Sequence, residues 1–113
     1  MDQNKWDALR DEMRDFLINL ARLGKTISYS ELAAQLQTAY IHHRAPMFSE
    51  LLRQISYEDK AANRPMLATL VVNKQRGIPG DGYFKGLVEE DFIDPETYWQ
   101  ARFEEVCQYW QEH

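Results

Sequence analysis

The sequence predicts a small α+β domain built mainly of helices, and three observations lead there. Stretches near both ends of the chain repeat apolar residues at spacings of three and four. Between them lie a β-branched segment, residues 25–29, and a continuous apolar run, residues 66–72, both short enough to read as strands. Gly77, Pro79, Gly80 and Gly82 then fall within six residues, which is loop chemistry.

In order, the first helix spans about Asp2 to Leu23. Trp6, Leu9, Met13, Phe16, Leu17, Leu20 and Leu23 form its inward face, Asp2 is its cap and Gly24 its left-handed exit. Lys25–Tyr29 gives a short strand. Ser28 with Glu31 forms an S-x-x-E capping box that starts a second helix, carrying Leu32, Ala33 and Leu36 inward. Residues 40–46 read as a connector, since Pro46 disfavours helix at Ala45. A third helix is expected over about Met47 to Ile55, buried along Phe48, Leu51, Leu52 and Ile55, while Tyr57–Arg64 is polar and ambiguous. Met66–Val72 has the pattern of a strand covered on both faces. Tyr83-Phe84 resumes an extended pattern, so strand, glycine-rich loop and strand make a hairpin with a long tip. The last helix starts at Asp94-Pro95-Glu96 and turns Trp99, Phe103, Val106 and Trp110 inward.

Composition sets the bounds. The chain has 113 residues, the size of one domain, and 44% of them are hydrophobic. Three Trp, six Tyr and five Phe are too many for a disordered chain. No apolar stretch approaches the ~20 residues of a membrane span, and Met1–Trp6 lacks a signal-like apolar core. Cys107 is the single cysteine, so neither an internal disulfide nor a cysteine-built zinc site can form within one chain. The expectation is a soluble cytoplasmic protein forming a single domain over residues 1–113.

Helix, short strand, two helices, strand, glycine-rich loop, strand and helix is the order of a winged helix-turn-helix domain with an added C-terminal helix. In such a fold the third helix enters a major groove and the hairpin tip, the wing, touches backbone phosphates. The segment Thr26-Ile27-Ser28-Tyr29-Ser30-Glu31-Leu32-Ala33 resembles the S-Y-x-E-L-A segment of O6-alkylguanine-DNA alkyltransferases and their alkyltransferase-like relatives. Residues 65–86 are similar in layout to that family's stretch from its reactive P-C-H-R motif to its G-Y-x-G-G turn. Where the family has its alkyl-accepting cysteine, this chain has Met66, followed by Leu67 and Ala68 instead of His and Arg. A thioether cannot be that nucleophile, so alkyl transfer is not expected and no catalytic residue is assigned. The resemblance implies that Tyr29 presses on a backbone phosphate; read structurally, the same ring lies over the start of the second helix. The strings 64–74 and 77–84 also resemble small bacterial proteins with no settled activity.

The net charge of −5 is unevenly spread. Residues 1–36 carry −1, residues 37–86 carry +3 and residues 87–113 carry −7. The basic surplus falls on the third helix and the wing, giving Arg44, Arg53, Arg64, Lys74, Arg76 and Lys85, with Tyr29, as candidate contacts to double-stranded DNA. His42 and His43 add charge in acid. A surplus of three over fifty residues is equally compatible with ordinary surface variation.

Other chemistry finds less support. The Gly77–Gly82 loop lacks the G-x-x-x-x-G-K-[ST] pattern of a nucleotide loop, and Asp81 reads as a turn residue. His42, His43 and His113 do not offer the four ligands, or three plus water, of a zinc site, so neither metal nor cofactor is expected. Glu89, Glu90, Asp91 and Asp94 read as a solvated acidic loop, and Cys107 as a small buried hydrophobe. The expected function is non-enzymatic DNA binding through the third helix and the wing. The alternative is a protein-protein interaction module using the acidic, aromatic C-terminal helix, whose Tyr98, Tyr109 and Trp110 also allow a homodimer.

Overall fold

A computed structural model describes residues 1–84 and 94–113. Lys85 and the acidic run Glu89, Glu90 and Asp91 lie outside the described residues. The architecture is mostly helical with a small two-stranded parallel sheet.

Helix α1 (Gln3–Leu23) forms because its apolar residues return every four positions, burying Leu9, Met13, Leu17 and Ala21 along one line. Asp2 accepts the Lys5 N–H at 2.8 Å at the start. At the end Gly24 takes φ 68°, and its N–H and that of Lys25 reach the Ala21 and Leu20 carbonyls. Trp6, Phe16 and Leu20 flank the line, half-buried. Leu23, expected inward, is 65% exposed because the Gly24 turn ends the helix beside it.

Strand β1 (Ile27–Ser28) leads straight into α2 (Tyr29–Gln35). Ser28 Oγ accepts the Glu31 N–H at 3.2 Å and donates to Glu31 Oε1 at 2.7 Å, the expected capping box. Beyond α2, Glu12 of α1 accepts the N–H groups of Gln37 and Thr38 at 2.7 and 3.0 Å, which anchors the connector.

Helix α3 (Pro46–Ala61) is longer than the stretch 47–55 expected for it. Its buried positions are Phe48, Leu51, Ile55 and Asp59, so the inward stripe continues one turn further with a carboxylate. Asp59 is fully buried and accepts from Arg14 at 3.0 Å, from Arg64 at 3.2 Å and from the Leu67 N–H at 3.0 Å. A charge in that position is tolerable only when so partnered.

Next comes a 3-10 turn (Leu67–Leu70), then strand β2 (Val71–Val72). Ile27 pairs with Val71 and Ser28 with Val72, in parallel, with α2 and α3 forming the crossover that such pairing requires. Two expectations are corrected here. The apolar run is mostly a 3-10 turn, since Leu67 and Leu70, three apart, both turn into the core. Tyr83-Phe84 is not a strand, because Asp81–Phe84 forms one helical turn, α4, closed by the Tyr83 N–H on the Gly80 carbonyl. Among the described residues there is therefore no β-hairpin wing. In its place the chain after β2 curls on itself. Asn73 donates to the Ile78 carbonyl at 2.7 Å and accepts Gly77 at 2.8 Å, and its side chain accepts Gln75 and Arg76.

Helix α5 (Pro95–Glu112) begins where expected. The Asp94 carboxylate accepts the Thr97 N–H and hydroxyl at 2.8 and 2.7 Å. Val106 and Cys107 are buried, and Phe103 and Trp110 pack against the core. Trp99 stacks on Phe103 with centroids 5.1 Å apart and donates to the Thr69 carbonyl at 2.8 Å. Helix α5 lies against α1 and the 3-10 turn, and α1 in turn packs on α3.

Candidate nucleic-acid interface

The outward face of α3 borders a cleft of about 440 Å³. Helical spacing puts Ser49, Arg53, Ser56 and Lys60 on that face, with Tyr57 beside Arg53. The opposite wall comes from three other places: Tyr29 at the start of α2, Met66 and Ala68 around the 3-10 turn, and Gly82 and Tyr83 of α4. Among the described residues, two cations and three tyrosines therefore line the cleft, and no carboxylate does.

Each tyrosine is held differently. The Tyr29 ring meets Phe48 edge-on, and its hydroxyl accepts the Gly80 N–H at 2.9 Å. Burial pushes its phenol up, against the lowering effect of that N–H. A Cβ at Gly80 would stand 3.6 Å from the same hydroxyl, so the loop approaches it closely. Tyr83 shares a 2.8 Å hydrogen bond with Thr69, and burial drives its phenol up to about 12. Both rings keep their protons near neutral pH and act as donors and apolar walls. Tyr57 is exposed, with the Arg53 guanidinium 5.9 Å from its ring centroid.

The expected contacts separate into groups. Tyr29 and Arg53 meet in the cleft, where Arg53 also pairs with Glu50. Arg44 is exposed just before α3, its backbone N–H donating to His42 Nδ1 at 3.1 Å. The α3 N-terminus behind it has Pro46 in its first turn, no acidic residue there and no side-chain cap. Lys74 is exposed on the loop after β2 and makes no ion pair among the described residues. Arg76, on the same loop, pairs with Asp81 at 3.3 Å and shares a second hollow with Asp94 and Glu96 of the acidic α5 terminus. Arg64 turns to buried Asp59. Lys60 and Tyr57 were not singled out by sequence. Their signal is the continuation of the α3 period, since Arg53, Tyr57 and Lys60 share a face once the helix runs past residue 55.

Little else in the described residues is equipped for reaction. Met66 presents a thioether to the cleft. Cys107 is buried in α5, and burial raises its thiol. His43 is held below its ordinary range by desolvation and by the charges of His42 and Arg44, so it becomes charged only at lower pH than a free histidine. No group of three His, Cys, Asp or Glu side chains that could hold a metal occurs among the described residues. No helix there is long and apolar enough to cross a membrane.

Comparison with protein-family models, with curated proteins and with solved structures finds no match for this chain.

Proposed function

We propose that the chain is a non-enzymatic protein of winged-helix type that binds double-stranded DNA through its phosphate backbone. In this reading α2 and α3 are the helix-turn-helix pair, and the self-closed loop after β2 stands where a wing would. The observation that carries the reading is the cleft along α3. In a chain of net charge −5, the described residues of its lining include Arg53 and Lys60 and no carboxylate. Tyr29, Tyr57 and Tyr83 add flat surfaces and hydroxyl donors suited to sugar, base and phosphate. Arg44 and Lys74 extend the positive surface beyond the cleft. Among the described residues the cleft lining has no Asn or Gln, which favours backbone contact over base reading.

The rival reading, an acidic protein-docking helix, keeps only part of its surface. Phe103 and Trp110 of α5 pack against the core, while Glu104, Glu105 and Glu112 are exposed. Titration with a duplex at about 50 and 200 mM salt separates the two. DNA binding predicts an affinity that falls steeply with salt and collapses in the R53E/K60E double variant. Undetectable binding at the lower salt, or affinity unchanged by R53E/K60E, overturns it.

A further inference from the structure

A second cavity, of about 420 Å³, adjoins the α3 cleft along Lys60, Met66 and Tyr83 and opens toward α5. Three cations from three stretches of chain line it: Lys60 of α3, Arg64 just after α3, and Arg102 of α5. Among the described residues Glu105 is the one carboxylate in its lining, and Arg102 holds it at 2.7 Å. Asp59 balances Arg64, while Lys60 makes no ion pair among the described residues. The Arg102 Nε is buried with no hydrogen-bond acceptor among them, and its guanidinium stands 5.1 Å from the Tyr98 ring centroid.

Neutral donors complete the lining. Thr69 and Tyr83 hydroxyls are 2.8 Å apart. Only one of their two protons can lie in that hydrogen bond, so the other remains to be donated elsewhere. Lys60 without an ion pair among the described residues, two guanidinium groups and a spare O–H together receive an anion. Three cations from separate directions suit the three terminal oxygens of a tetrahedral dianion, whereas a planar carboxylate is matched by one guanidinium fork. The volume lies in the range of small-molecule sites and exceeds the needs of a bare ion, and Met66 and Val106 give an apolar wall for an attached group.

We propose that this cavity binds a phosphomonoester, its dianion between Lys60, Arg64 and Arg102 and its ester group against Met66 and Val106. The ligand is a free sugar or nucleoside phosphate, or the terminal phosphate of a DNA strand. The proposal shares Lys60 with the duplex-backbone reading and is told apart from it by Arg102, which lies outside the α3 cleft.

Calorimetric titration of the full chain tests it, with ribose 5-phosphate against ribose and with a 5′-phosphorylated duplex against its 5′-hydroxyl counterpart. Saturable binding of ribose 5-phosphate but not ribose identifies a free phosphomonoester. A gain confined to the phosphorylated duplex identifies a strand terminus. In either case R102Q and K60Q each weaken the phosphate-dependent binding about tenfold or more, R102K retains most of it, and K5Q, on an exposed residue far from the cavity in sequence, leaves it unchanged. Circular dichroism verifies that the variants are folded. Failure of both phosphate-bearing probes to exceed their dephosphorylated counterparts overturns the proposal, as does a phosphate-dependent gain that survives R102Q and K60Q.

Discussion

Helix α3 presents charge on two faces with opposite consequences. Inward, Asp59 gathers Arg14 and Arg64 into a buried cluster that also ties down the Leu67 N–H. Outward, Arg53 and Lys60 face a cleft whose lining, among the described residues, holds no carboxylate. Arg64, Arg53 and Lys60 all belong to the basic surplus of residues 37–86, yet Arg64 is matched by a buried carboxylate, Arg53 pairs with exposed Glu50, and Lys60 makes no ion pair among the described residues. A cation's meaning here depends on whether a carboxylate shares its face, and a count along the chain averages that distinction away.

Removing Asp59 is the hardest blow to this contrast. D59A leaves the Arg64 guanidinium and the buried Leu67 N–H without their carboxylate, while Arg14 keeps Glu58, so a loss of about 3 kcal/mol is expected in chemical denaturation. The same measurement on R53E/K60E is expected to show near-native stability, with the effect falling instead on duplex affinity. If R53E/K60E unfolded the protein as D59A does, the distinction between the two faces would be lost.

A smaller effect is expected where the cleft wall is pinned to the loop. Y29F removes the acceptor of the Gly80 N–H, with an expected cost of about 1 kcal/mol and faster amide exchange at Gly80. The smallest concerns Glu12, which belongs to neither face of α3. Burial alone would raise its carboxyl, but the N–H groups of Thr38 and Gln37 hold it below the ordinary value. Its folded pKa is therefore depressed. The stabilisation is present above the unfolded value and is lost as pH falls through the folded one. Thermal melts from pH 6 downward are expected to show a shallower acid decline in E12Q than in the parent chain.

The helices were legible in the sequence because local chemistry specifies them. Asp2 and Gly24 bound α1, Ser28 and Glu31 start α2, and Asp94-Pro95 starts α5, each through bonds within a few residues. What escaped was set by distant partners. Residues 67–70 are as apolar as a strand, but a 3-10 turn places Leu67 and Leu70 in the core and leaves only Val71–Val72 to pair with β1. Tyr83 reads as a strand residue until its hydroxyl finds Thr69 and its ring lies edge-on to Phe84. Of the candidate site, Tyr29 and Arg53 were visible and Lys60 was not. The last turn of α3 depends on Asp59 finding Arg14, 45 residues away, and no local pattern announces that.

The union of α1 with α5 has a kinetic side. Arg22 donates to the Trp110 carbonyl across a sequence separation of 88 residues, and the α1 core line is covered by a helix from the far end of the chain. Helical segments form within microseconds, but this closure encloses most of the polypeptide and bears a correspondingly large loop entropy. Docking of α5 is thus expected to be a late step in folding, and until it docks the side of α1 that it covers stays exposed.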